Sequence, residues 1–168
     1  MKTSKGFTLI ELVIVIILLS ILSTLAARII NQTYKNYLTG KHIIQLSNTV
    51  NIAINNVLNE LNQAESFSSI GANSVSFINQ NGDAVVINAS GTLLQRSMNG
   101  GQAWTVCDNV INLTMNPPPP IFAYYDQSFA ETASPASVSF VTIKIVADDG
   151  LSHYSIMGGT VIRKALPN

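Results

Sequence analysis

The chain has 168 residues, of which 47% are hydrophobic and only 11% are charged, and its formal net charge is zero. This length leaves room for one membrane segment and one small globular domain, and the low charge argues against a disordered tail and against a nucleic-acid-binding surface. The single cysteine, Cys107, excludes an internal disulfide and a multi-cysteine metal site.

Residues 7–27 form an apolar segment whose only ionisable side chain is Glu11. A helix of this length spans about 31 Å, which matches the hydrocarbon core of a bilayer. Lys2 and Lys5 resemble the positive region of a secretory signal peptide, but the apolar run exceeds the ~7–15 residues of such peptides. A plain membrane anchor is the second alternative, and the balanced basic residues on the two sides do not exclude it. Glu11 does argue against it, because a carboxylate in a lipid-facing segment is costly and marks a functional partner.

The sequence KGFTLIEL at residues 5–12 resembles the class III signal of type IV prepilins and type II secretion pseudopilins. In that family a basic leader ends in glycine, phenylalanine follows, and a glutamate stands at the fifth position of the mature chain. The resemblance implies that prepilin peptidase cleaves after Gly6 and methylates the new amino terminus at Phe7. It also implies assembly with other pilins or pseudopilins through an inner-membrane platform.

The motif would bring together two opposite charges, the amine of the cleaved chain and the carboxylate of Glu11. Cleavage would place a positive amine at Phe7, about one helical turn before Glu11. In a filament of packed helices, Glu11 could neutralise the amine of a neighbouring subunit and thereby set the axial register. The spacing equally allows Glu11 to contact the amine of its own chain, so both alternatives stay open.

Beyond the membrane segment, residues 28–66 are predicted to continue as an amphipathic helix, with Gly40 as a point where it can bend. Apolar residues recur there at spacings of three and four, which predicts one buried stripe. The stripe consists of Ile43, Leu46, Val50, Ile54, Val57 and Leu61.

Residues 67–168 are predicted to form an antiparallel β-rich domain. Residues 75–78 and 84–87 flank Asn81-Gly82 as a hairpin, and a strand follows at 92–96. Residues 138–146 alternate in polarity, with Val141, Ile143 and Ile145 on one face, and the chain returns through 152–163 after an Asp-Asp-Gly turn. The expected fold is α+β, with the amphipathic helix packed on the sheet after a leader at residues 1–6 and a membrane or filament-core helix at 7–27.

The order of three segments, at residues 108–113, 122–126 and 138–146, resembles minor pilins and J-type pseudopilins of the PilW, MshO and PulJ group. The prolines Pro117 to Pro120 depart from that layout, because four prolines cannot join a central ladder. They predict a rigid loop instead.

Residues that could carry chemistry are few. His42 and His153 do not stand at metal-ligand or catalytic-triad spacings, so no metal, cofactor or enzymatic activity is expected. Asp148 and Asp149 are expected to form a solvated turn rather than a calcium loop. The glycosylation acceptor patterns at Asn88 and Asn112 are assigned no function.

Aromatic residues and the cysteine are expected to be structural. Trp104, Tyr124 and Tyr125 are predicted to pack in the sheet core rather than on a partner surface. Cys107 is predicted to be a small, half-buried residue of a strand or turn.

The sequence therefore favours a minor type IV pilin, processed by prepilin peptidase and incorporated into a pilus or priming it. A J-like pseudopilin of a type II secretion system is the first alternative, and a membrane-anchored periplasmic binding or enzymatic domain is the alternative of another class. The expected location is the inner membrane, with one span and a periplasmic domain, followed by a pilus or pseudopilus. No nucleic-acid partner is indicated.

Overall fold

The computed structural model describes residues 8–162 and divides the chain into two compact units, Met1–Lys41 and His42–Asn168. One helix, α1 (Leu9–Asn62), contributes to both units, and its helical structure continues through Gly40. The described part of the first unit is almost entirely helix. The described part of the second unit combines the end of α1 with eight antiparallel strands, so the predicted α+β fold class is confirmed.

The strands form two sheets rather than the single sheet expected. The first contains five strands in sequential order: β1 (Ala64–Ile70), β2 (Ser74–Asn79), β3 (Ala84–Ser90), β4 (Leu93–Met98) and β5 (Trp104–Cys107). The second contains three: β6 (Phe122–Tyr125), β7 (Phe140–Asp148) and β8 (His153–Val161). Short 3₁₀ turns lie at Asn112–Thr114 and Pro135–Ser137.

Both predicted hairpins are confirmed. In the β2–β3 turn, Asn79 Oδ1 accepts hydrogen bonds from the amides of Asn81 and Asp83, and Gly82 supplies a φ of 84° that glycine adopts without strain. Strands β7 and β8 pair without a break in register over their whole length. Gly150, with a φ of 81°, lies in the turn between them.

The buried stripe of α1 supplies one wall of the core. The prediction is confirmed at five of its six positions and is wrong at Ile43, whose side chain is 42% exposed. Ala53 is also buried. Contacts reach both sheets: Glu60 pairs with Arg96 of β4, and Asn51 Nδ2 lies 3.3 Å from the Tyr154 hydroxyl of β8.

The end of α1 differs from the prediction. The helix ends at Asn62, and Ala64 already begins β1, so residues 64–66 are strand rather than helix. The pairing of β1 with β2 has two register shifts, after Ala64 and after Phe67. Each shift adds a residue on one side of the ladder, so the covered positions of β1 are Ala64, Phe67 and Ile70. These three positions are spaced by three residues, which in the sequence is the spacing of a buried helix face.

On the edge of β7 opposite β8, two separate segments complete the sheet. Strand β6 pairs with residues 140–143, whereas residues 109–111 pair with 146–148 through an isolated bridge and backbone hydrogen bonds. Between these two segments, residues 117–120 form no strand, as their prolines predict.

Candidate functional site

The first unit presents an apolar helical surface that nothing in the described chain covers. All side chains from residue 8 to residue 37 are exposed. By length and composition, α1 is apolar enough to cross a membrane. The hydroxyls of Ser20, Ser23 and Thr24 donate to backbone carbonyls of the same helix, so these polar groups are already satisfied there.

Glu11 is held at the start of this helix by Thr8. The Thr8 amide and hydroxyl both donate to Glu11 Oε2 at 2.9 Å, and the Glu11 amide donates to Thr8 Oγ1 at 3.4 Å. This reciprocal arrangement is a capping box, in which the first side chain of a helix and the one three positions later satisfy free backbone amides. The sequence carries its signature, Thr-x-x-Glu, which the interpretation of Glu11 as a register residue did not use.

The other predicted processing residues lie outside the described part of the chain. These are Lys2, Lys5, Gly6 and Phe7. Their assignment as leader charges, cleavage site and methylation site therefore stays a prediction. So does the alternative in which Glu11 contacts the amine of its own Phe7.

The two histidines flank one hairpin turn without forming a metal site. His42 Nδ1 lies 3.6 Å from Asp149 Oδ2, and His153 Nδ1 lies 3.6 Å from Asp148 Oδ2. Hydrogen bonds, chiefly the one from the Leu151 amide, lower the pKa of Asp149. These carboxylates thus organise a solvated turn, as predicted. Within residues 8–162, no group of three His, Cys, Asp or Glu side chains is placed to hold a metal ion.

Cys107 and Tyr124 are core residues. Cys107 is 1% exposed at the end of β5, and burial raises the pKa of its thiol to about 11, with a smaller contribution from Asp108. The Tyr124 hydroxyl donates to the carbonyls of Gly71 and Ser74, and burial raises its pKa although the Gly71 bond opposes this. The core prediction is confirmed for Tyr124, while Cys107 is more deeply buried than expected.

Trp104 contradicts its core prediction. Its side chain is 63% exposed on β5, the edge strand of the five-stranded sheet. The guanidinium carbon of Arg96 lies 5.9 Å from the centre of its ring, and Arg96 is in turn paired with Glu60. Neither Arg96 nor Glu60 was singled out from the sequence. Trp104 lies on the sheet face that is buried at Ile87, but it stands on the edge strand, where that face is no longer covered.

A comparison with protein families agrees with the N-terminal reading. Residues 1–27 match the prokaryotic N-terminal methylation motif. Among curated proteins, no sequence matches the chain significantly. The motif, together with the exposed apolar helix that begins within it, supports a pilin-like or pseudopilin-like structural protein with a membrane anchor, processed by prepilin peptidase.

Proposed function

We propose that this protein is a minor type IV pilin-like subunit that enters or primes a pilus after removal of residues 1–6. The observation that carries the proposal is the position of Glu11: it is the one ionisable side chain in residues 8–27, the exposed and mainly apolar start of α1, and it lies inside the matched methylation motif. In a membrane, lipid would surround this segment. In a filament, neighbouring helices would replace the lipid.

The carboxylate has unused capacity for a partner. Thr8 engages only Glu11 Oε2, and no hydrogen bond reaches Oε1 from the described residues. An ionised carboxylate can accept about four hydrogen bonds. Glu11 can therefore cap its own helix through one oxygen while the other accepts a bond from a neighbour's amino terminus. Once such a pair is removed from water, its interaction energy would depend strongly on the distance between the two charges. The pair would therefore fix the axial stagger between subunits.

The arrangement around β7 supports the assignment as a minor subunit. Residues 109–112 and β6 lie one after the other along the same edge of β7, although the proline loop separates them in sequence. The three segments whose order resembles the PilW, MshO and PulJ group can thus all belong to the sheet that contains β7. A J-like pseudopilin of type II secretion shares that layout, and the filament in which the protein is found distinguishes the two.

Mass spectrometry of the protein from its own cells tests the proposal. We expect a mature chain that begins at Phe7 and carries one methyl group on its amine. A chain that keeps Met1 to Gly6 in cells with active prepilin peptidase would contradict it and favour a plain membrane anchor with a periplasmic domain. Recovery from sheared surface pili would identify a pilus subunit, whereas recovery only with type II secretion components would identify a pseudopilin.

A further inference from the structure

In the second unit, a cavity of about 400 Å³ opens between α1 and the edge of the five-stranded sheet. Its volume lies within the roughly 300–1,000 Å³ of small-molecule sites. The helix contributes Asn56, Asn59 and Glu60, and the sheet contributes Arg96 and Trp104. The lining therefore combines one aromatic ring with several planar polar groups.

The sheet register places Trp104 beside the cavity. Ile87 of β3, Arg96 of β4 and Trp104 of β5 are successive cross-strand partners, so their side chains share one face of the sheet. That face is fully buried at Ile87 but is no longer covered at Trp104 on the edge strand. A bulge beyond Thr105 also lets Cys107 point into the core from the same face.

The groups at the cavity are held in place before any ligand arrives. Arg96 Nε lies 2.6 Å from Glu60 Oε1, and its guanidinium lies over the Trp104 ring. The side chains of Arg96 and Glu60 are thereby restricted, which lowers the conformational entropy lost when a ligand binds. Asn56 and Asn59 are exposed, and no hydrogen bond from another described residue occupies their amides.

We propose that this cavity binds a neutral pyranose sugar. The Trp104 ring is 63% exposed, and the face that Arg96 does not cover would attract the weakly positive C–H groups on the apolar face of a sugar ring. Amide side chains, which offer both donors and acceptors, then suit the hydroxyl groups at the rim of that ring. The inference concerns a property beyond filament assembly and does not rest on it.

The charges at the cavity favour a neutral sugar over a nucleotide. Among the described residues, Arg96 is the one cation that lines the cavity, and Glu60, the one anion there, neutralises it. A phosphate would have to displace Glu60 or lie close to it, which like charge disfavours. An uncharged polyhydroxyl ligand meets no such repulsion.

Trp104 is the only tryptophan of the chain and reports directly on the cavity. The full chain, held in a zwitterionic detergent without a sugar headgroup, would be titrated with maltose, lactose, cellobiose and chitobiose while its tryptophan emission is recorded. We expect a saturable change with at least one disaccharide, with a Kd of about 1 mM. No saturable change with any of the four would overturn the proposal, and so would a response to AMP alone.

A matched pair of variants tests the location. The double substitution Asn56→Ala with Asn59→Ala removes two hydrogen-bonding groups and should weaken binding about tenfold or more. Asn55→Ala changes an exposed asparagine of the same helix that does not line the cavity, and it should bind as the unsubstituted chain does. Equal affinities for the double variant and the unsubstituted chain would overturn the site. Filament incorporation, measured on the same variants, should be unchanged, so failure here is distinguishable from failure of the assembly proposal.

Discussion

Glu11 and Thr8 cap the start of α1 through a single carboxylate oxygen, Oε2, which accepts both the amide and the hydroxyl of Thr8 at 2.9 Å. The residue proposed to meet a neighbouring amine therefore also holds its own helix. These two roles depend on different properties of the side chain. The cap needs an acceptor, which glutamine also supplies, whereas attraction to an amine needs the negative charge.

Glu11→Gln should separate the two roles. We expect the variant to insert into the membrane normally and to be cleaved normally, but to enter filaments about tenfold less, because the bond to a charged partner is lost. The measurement is the ratio of protein in sheared filaments to protein in membranes. Glu11→Ala should show the same loss, since it also removes the charge.

Thr8→Ala is the matched control for that experiment. It removes the capping hydroxyl and leaves the charge of Glu11, so filament incorporation should stay close to that of the unsubstituted protein. If Thr8→Ala abolished incorporation and Glu11→Gln did not, capping rather than intersubunit charge would be the role of this pair.

Asn112 and Asn88 both occur in a glycosylation acceptor pattern, but they are expected to differ sharply in their effect on stability. Asn112 is fully buried; its Nδ2 donates to the Lys144 carbonyl at 2.9 Å, and its Oδ1 accepts from the Val146 amide at 2.7 Å. Asn112→Ala leaves both backbone groups without these bonds, at about 1–3 kcal/mol for each unsatisfied group. The exposed Asn88 should tolerate alanine within about 0.5 kcal/mol.

Urea unfolding of the full chain in detergent checks this difference. A loss of similar size for both variants would contradict the view that Asn112 acts as part of the sheet. Asn112→Asp adds a further test, because it keeps the acceptor but removes the donor and buries a charge. It should be at least as destabilising as Asn112→Ala.

The fold class, the two hairpins and most of the helix stripe could be predicted from the sequence, because regular elements keep a fixed period. The strand residues 64–66, which the sequence pattern predicts as helix, lie where bulges change that period. In β1, two register shifts produce a spacing of three at Ala64, Phe67 and Ile70, which is indistinguishable from a helix in sequence. A strand with irregular pairing at a sheet edge can be recognised only when its partner is known.

The candidate sites illustrate the same limit. The Thr-x-x-Glu signature of the helix cap is local and was readable in the sequence. The cavity at Trp104 was not, since Glu60, Arg96 and Trp104 come from one helix and two strands, and only the register of β4 and β5 brings them together. Composition alone favours a buried tryptophan, and only the edge position of β5 explains why it is exposed.

At Gly158, β8 lies close to α1. A methyl group at this position would lie 2.8 Å from Leu58 Cδ1 and 3.1 Å from Ile54 Cγ2. Gly158→Ala should therefore lower the free energy of unfolding by about 1 kcal/mol, the low end of the cost of overpacking, because the terminal methyl group of Leu58 can shift. Met157→Ala, at a 67% exposed position of the same strand, serves as the control and should change stability little.

A double-mutant cycle with Leu58→Ala tests the cause of that loss. Removing the Leu58 side chain makes room for the new methyl group, so the double variant should be more stable than the sum of the single effects by about 1 kcal/mol. Strict additivity would show that the cost of Gly158→Ala arises from the strand backbone and not from the contact with Leu58.

Cys107 should make the folded protein less stable at alkaline pH. Burial raises the pKa of its thiol from 9.0 to about 11. Because the folded-state value lies above the unfolded one, this contribution to stability is fully present below about pH 9 and is lost as the pH rises towards 11. Urea unfolding at about pH 8 and about pH 10.5 should therefore show a smaller fall for Cys107→Ala than for the unsubstituted chain. Effects of the tyrosines, including Tyr124, are common to both proteins and cancel in this difference.

The same burial should make alkylation of the folded protein by iodoacetamide slow at about pH 8 and fast after unfolding, because the thiolate is the reactive form. Rapid alkylation of the folded chain, or an identical pH dependence in both proteins, would show that the thiol is open to solvent.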